Sequence, residues 1–419
     1  MTPSAMQIVA ACLFALAILH TFTAPLFSRL ALTRPRHAGV WHLLSEVEVV
    51  FGFWAFVLML ILFAVEGRDA AVGYIDSCNF TEPMFVFAIM VMAGTRPILQ
   101  LAKKAIFIVS ALLPLPRDMG FYLTVLVVVP LMGSFITEPA TMTLGALILR
   151  DRFYNRNLPP LMQYVTLAVL LVNVSIGGTL TPFAAPPVIM VAGKWQWDLA
   201  FMATTFGWKS ALACLVNALA ATVLFRKQFA TGGRPVYKSD EKRVPFPLIV
   251  IHVLFLAGVV VFSHHPVIFV GLFLFFLGVS HAYARHQEPL LLRQGLMVAF
   301  FLSGLVVLGG KQQWWLQELL GGMTHGQVFV GATILTSFTD NAALTYMGSL
   351  VDGMTDAFKY ALVAGAVTGG GLTIIANAPN PAGISILRDS FAMKSVKPLP
   401  LFLAGLLPTL VAALAFNLF

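Results

Sequence analysis

The chain has 419 residues, 59% of them hydrophobic and 11% charged, with a mean hydropathy of +0.87. That usage excludes an ordinary soluble domain and calls for a bilayer. The net charge of +8 would suit nucleic acid in a soluble protein, but here the basic residues lie in short stretches between apolar runs, where they set topology, and no nucleic-acid partner is expected.

Residues 1–45 read as a first span and a basic loop. The run from Ile8 to Phe27 lacks a basic leader and is followed by Arg29, Arg34 and Arg36, so it reads as a retained span and not as a cleaved signal. Further runs long enough to cross, at about 20 residues per span, are Val47 to Val65, Leu199 to Phe225 and Leu399 to Phe419. Glu46 and Glu48 open the second of these, Glu46 at the solvated boundary and Glu48 deeper. The acidic stretch from Glu66 to Glu82 reads as an external loop. Residues 226–245, with Arg226, Lys227, Arg234, Lys238, Lys242 and Arg243, form a basic linker that the positive-inside rule places in the cytoplasm. Cys12, Cys78 and Cys214 are too scattered for a disulfide framework or a metal site. His264 and His265, beside Pro266, read as a solvated turn.

The linker divides the chain into halves, 46–225 and 246–419, that share two motifs in the same order. Thr137-Glu138-Pro139 lies on Thr339-Asp340-Asn341, with Ser134-Phe135 and Ser337-Phe338 just upstream. Gly177-Gly178-Thr179-Leu180-Thr181 lies on Gly369-Gly370-Gly371-Leu372-Thr373, and prolines follow both. The pair of matches predicts a duplicated, all-α, polytopic membrane fold. Apolar runs flanking Asp340 are too short to span, which predicts a re-entrant hairpin with its tip near 337–342, and a like one near 134–141. The glycines and prolines near 177–187 and 369–381 predict spanning helices unwound at mid-membrane.

A carboxylate inside a membrane needs a partner, a cavity or a cation. Around Glu138 and Asp340 stand oxygens suited to a hard cation such as sodium: the hydroxyls of Thr137, Thr141, Ser337 and Thr339 and the amide of Asn341. The unwound stretches add free carbonyls beside Thr181 and Thr373. Arg96 and Lys311 each precede a hairpin and are candidate counter-charges; a helix-holding salt bridge to Arg96, Lys209 or Lys311 is the plain structural alternative.

These motifs, with Asn377 and Pro379-Asn380, resemble the ion transporter superfamily, and nearest a family of bacterial membrane proteins described as sodium/proton antiporters. The resemblance implies two inverted repeats, a transport domain moving against a dimerised scaffold, and a multi-pass homodimer of the bacterial inner membrane. It implies no enzyme activity and no cofactor beyond the transported sodium and protons. It also adds Asn377 to the ion site, an asparagine the first half lacks. Where the dicarboxylate branch has neutral Ser-Asn-Thr tips, this chain has acids, which repel an anion and favour sodium/proton exchange. Sodium-coupled transport of a small anion, a carboxylate or an arsenite-like species, is the alternative.

Overall fold

The structure is a computed structural model that describes residues 3–156, 158–230 and 243–418, and every regular element among them is helical. Seven stretches there are apolar and long enough to cross a bilayer, including Ala5–Ala24, Glu48–Glu66, Leu199–Leu224 and Pro398–Leu418 where spans are expected. The chain is a multi-pass membrane protein.

Helix α1 (Ala5–Thr33) opens with a capping box between Ser4 and Gln7, and α2 (Ala38–Ser45) leads into α3 (Val47–Glu66). Gly67, at φ +90°, ends α3. The stretch read as a loop after it is instead α4 (Arg68–Ser77), with Asp69 in the first turn, where a negative charge favours a helix. A bend of 56° then leads to α5 (Thr81–Ala93).

Next come α6 (Arg96–Leu112), α7 (Arg117–Ile136), α8 (Glu138–Arg152), α9 (Pro160–Gly177), α10 (Pro186–Trp195), α11 (Leu199–Met202), α12 (Trp208–Leu224) and α13 (Arg226–Ala230). The expected linker is described at its two ends only; residues 231–242, with most of its charges, lie outside the described residues. Beyond it are α14 (Phe246–Val261) and α15 (Pro266–Ala282), joined by a turn in which His264 and His265 are exposed. The chain ends with α16 (Leu292–Gly309), α17 (Gln313–Gly321), α18 (His325–Thr336), α19 (Asn341–Ser349), α20 (Asp356–Gly369), α21 (Asn380–Leu387) and α22 (Pro398–Leu418).

Contacts at helix ends fix their directions. Helices α3 and α16 run parallel, because Arg293 pairs with Glu46 at their starts (2.9 Å), Gly304 abuts Gly52 midway, and Tyr74, just past α3, donates to the Val307 carbonyl near the end of α16. Helices α7 and α8 are antiparallel: Asp118 at the start of α7 accepts from Arg152 at the end of α8 (3.0 Å) and from Arg156 (2.6 Å). Helices α18 and α19 are antiparallel too. The first begins just after α17, and Asp352, just after the second, exchanges hydrogen bonds with Gln313 and Gln317 of α17.

The two helix pairs are based at opposite ends of the bundle. Helix α9 begins at the base of α7 and α8, where Tyr154 donates to the Gln163 carbonyl (2.6 Å), and α20 begins just beyond Asp352. Where α9 and α20 cross, Ser175 donates to the Val367 carbonyl (2.7 Å) and Gly371 abuts Val172, so they run antiparallel. Each is interrupted at that crossing, and its continuation reaches the opposite base. Lys194 of α10 donates to the Ser349 carbonyl at the end of α19, and Ser390, just past α21, accepts from Gln163 at the start of α9 (2.9 Å).

Lengths differ between the pairs. Helix α7, at 20 residues, is long enough to cross by itself, whereas α18 and α19, at 12 and 9 residues, are not. Close approach without a side chain holds both pairs to the interrupted helices. A Cβ on Gly177 would lie 2.6 Å from the Pro130 carbonyl, and one on Gly369 would lie 2.3 Å from the Thr333 carbonyl.

Candidate functional site

Each antiparallel pair turns over at its acidic residue. Between α7 and α8 the turn is made by Thr137 at φ 74°, a region that β-branched residues avoid, at a cost of order 1–3 kcal/mol. Ser134 secures it, donating to the Gly177 carbonyl (2.7 Å) and accepting from the Leu180 amide (2.8 Å). The Ser134 carbonyl in turn accepts the hydroxyl of Thr181.

Glu138 is completely buried at the first turn of α8. Its Oε2 accepts from Asn377 Nδ2 at 2.7 Å, whereas its Oε1 has no protein partner. Gly178 is what makes room for that oxygen, since a Cβ there would stand 2.7 Å from it. The asparagine expected beside Asp340 therefore reaches across the molecule to the carboxylate of the other half.

Asp340 caps α19. Its Oδ1 accepts from the amides of Ala342 (2.8 Å) and Ala343 (3.1 Å), the usual way an aspartate satisfies the free donors of a helix start. The contact between Thr181 and Ser134 has its counterpart here, for Thr373 donates to the Ser337 carbonyl at 2.7 Å. The Asn341 backbone N–H donates to the Ala376 carbonyl, and Asn380 Nδ2 ties the carbonyls of Gly370 and Thr373 (both 2.8 Å), holding the unwound stretch in shape. Ser134 lies in a repeated motif and Asn380 just after one, but spacing alone does not say which polar residue braces a break and which is left open.

Thr141, Ser337, Thr339, Thr181 and Thr373 all give their hydroxyl protons to backbone carbonyls. Their remaining capacity is as acceptors. Thr137 Oγ1, Glu138 Oε1, Asn341 Oδ1 and Asn377 Oδ1 are buried with no hydrogen-bond partner among the described residues. Such groups are costly unless something completes them, by about 1–3 kcal/mol each, and together with the carboxylates they offer a cation oxygen ligands of the kind sodium takes.

A cavity of about 610 Å³ lies against Asp340, Thr339 and Asn377, while Glu138 stands behind Asn377 and does not line it. Asn377 links the two acids, lining the cavity with Asp340 while its Nδ2 donates to Glu138. Among the described residues no ion pair includes either acid. Of the candidate cations, Lys311 Nζ sits 4.2 Å above the Tyr74 ring, Lys209 Nζ donates to the Tyr360 hydroxyl (2.9 Å), and Arg96 opens α6.

The sequence profile of the family described as "Putative Na+/H+ antiporter" matches residues 5–419. The chain belongs to this family. The family's description supports a transporter of cations and protons. A comparison with curated proteins returned no match.

Proposed function

We propose that the protein exchanges sodium for protons by alternating access, with Glu138 and Asp340 taking either ion. The observation that carries this reading is Glu138: a fully buried carboxylate with one amide donor, one oxygen left open and, among the described residues, no cationic side chain paired with it. Such a group is tolerable when it holds a proton or a metal cation, and poorly tolerable when it holds neither. Sodium arriving at the open oxygens makes the ionised form favourable and releases the proton; a proton arriving from the other side displaces sodium. That competition couples the two fluxes.

The matched contacts of Thr181 on Ser134 and Thr373 on Ser337, and of Gly177 on Pro130 and Gly369 on Thr333, support two inverted repeats, 46–225 and 246–419. In each, an antiparallel pair is read as a re-entrant hairpin and the helix after it as a broken span, the two hairpins opening to opposite sides. The basic linker assigns its end of the bundle to the cytoplasm, in a bacterial inner membrane and as the homodimer that the resemblance implies. Small-anion transport is less well supported, because the amides at the start of α19 that would greet an anion are occupied by Asp340.

Reconstituted vesicles carrying an imposed proton gradient test the reading. Sodium added outside collapses the gradient with wild-type protein, and Glu138→Gln and Asp340→Asn each reduce that flux by about 100-fold or more, the loss expected when a required charge is removed at the site. Sodium-independent flux, or full exchange by the double variant, would sink it.

A further inference from the structure

The cavity at Asp340 is lined by α1, α3, α16 and α17 and by α18, α19 and the unwound stretch before α21. Its walls are mainly apolar, with Phe14, Phe51, Phe301 and Leu335 among them, and the acids that interrupt them are Glu46, Glu48 and Asp340. Glu46 is half exposed and occupied by Arg293 at 2.9 Å. Glu48, half-buried two residues further along α3, makes no hydrogen bond or ion pair with another side chain among the described residues. The charged groups around it are the Glu46 and Arg293 pair at the start of α3 and Asp340, which lines the same cavity.

Two carboxylates facing one another over an apolar cavity repel, and a cation or proton between them removes the repulsion. A second, independent feature points to a ligand in the same space. Asn377 is 1% exposed, lines the cavity, and has its Oδ1 unpartnered while its Nδ2 is held by Glu138. An open amide oxygen with no donor near it is an acceptor for a cation.

Phe229, at the start of the linker, packs on Tyr122 and Phe153 at the base of α7 and α8, which makes that end, where Glu46 pairs with Arg293, the linker end. We propose that Glu48 is a relay carboxylate, which receives the sodium ion or proton at the linker end of the cavity and passes it to Asp340. The assignment rests on the antiport reading above. Glu48 belongs to a long helix packed along α16, whereas Asp340 belongs to the short pair α18 and α19, so the two acids sit on separate elements that can part and meet. A relay of this kind serves one side of the membrane only. Glu48 then governs access from the linker end and is indifferent to ions approaching from the other.

Sodium-dependent proton flux is to be measured in everted and right-side-out membrane vesicles for wild type, Asp340→Asn, Glu46→Gln, Glu48→Gln and Glu48→Asp, each at matched protein amounts. With sodium offered at the linker end, Glu48→Gln is expected to need about fivefold more sodium for half-maximal flux, the effect of about 1 kcal/mol. Offered at the opposite end, it should behave as wild type; Glu46→Gln should match wild type at both ends. Glu48→Asp should restore most of the affinity, and it reads the same asymmetry should the glutamine variant fail to insert. A Glu48→Gln protein unchanged at both ends, or impaired equally at both, overturns the relay. If wild type exchanges no sodium for protons, the antiport reading fails and the relay falls with it; if exchange is lost in Asp340→Asn but untouched in Glu48→Gln, the relay alone fails.

Discussion

Glu138 and Asp340 occupy matching places in the sequence but are held in different ways. Asp340 is braced by its own helix start, Glu138 by an asparagine from the other half of the chain. The two acids stand out in the sequence, because a charge inside an apolar run is costly and therefore conspicuous. The partner of Asn377 does not, since position along the chain placed it near Asp340 and only the crossing of α9 and α20 carries it to Glu138. Replacing Asn377 with Ala removes a buried charge-assisted hydrogen bond of about 1.5 kcal/mol, and half-saturating sodium should rise about tenfold. Flux titrations with sodium check this; an unchanged sodium dependence would make Asn377 a packing residue.

At the scale of elements, the apolar runs announced the long spans, and the glycines announced the interruptions after α9 and α20. The helix α4 was hidden because its composition is nearly neutral in hydropathy and resembles a loop. The base of α7 and α8 was hidden as well, for Asp118, Arg152 and Arg156 read as boundary charges until the antiparallel pairing joins them. Arg152 and Asp118 are only 8% and 12% exposed, and Arg152 also lies 3.8 Å over the Phe121 ring. Asp118→Asn leaves two arginines without their acid, at a cost of about 3 kcal/mol. Thermal unfolding of the purified protein in detergent should show a melting temperature lowered by several degrees, and an unchanged one would make the clamp dispensable. A Cβ at Gly369 would press on the Thr333 backbone and force α18 from α20, so Gly369→Ala should be destabilising in the same assay.

Across the whole molecule the ends of the helices fall into two groups. A second cavity, of about 570 Å³, collects one group, with Tyr74, Glu82, Lys194, His264, Gly310 and Ser349 brought together from helices far apart in sequence. The Glu46 and Arg293 pair marks the starts of α3 and α16, opposite that cavity. The sequence carries repeated motifs but not the opposition of the two helix pairs, because sequence similarity is silent about direction and only the end-to-end contacts supply it. Both acids stand at the turns where the opposed pairs meet the interrupted helices, and in the proposed exchange one set of buried carboxylates holds either sodium or protons. This exchange is tested most directly by adding sodium to the purified protein in weakly buffered detergent solution and recording the pH. Wild type is expected to release protons in proportion to sodium bound, and the Glu138→Gln, Asp340→Asn double variant to release none. Sodium binding without proton release, or equal release by the double variant, would contradict the account.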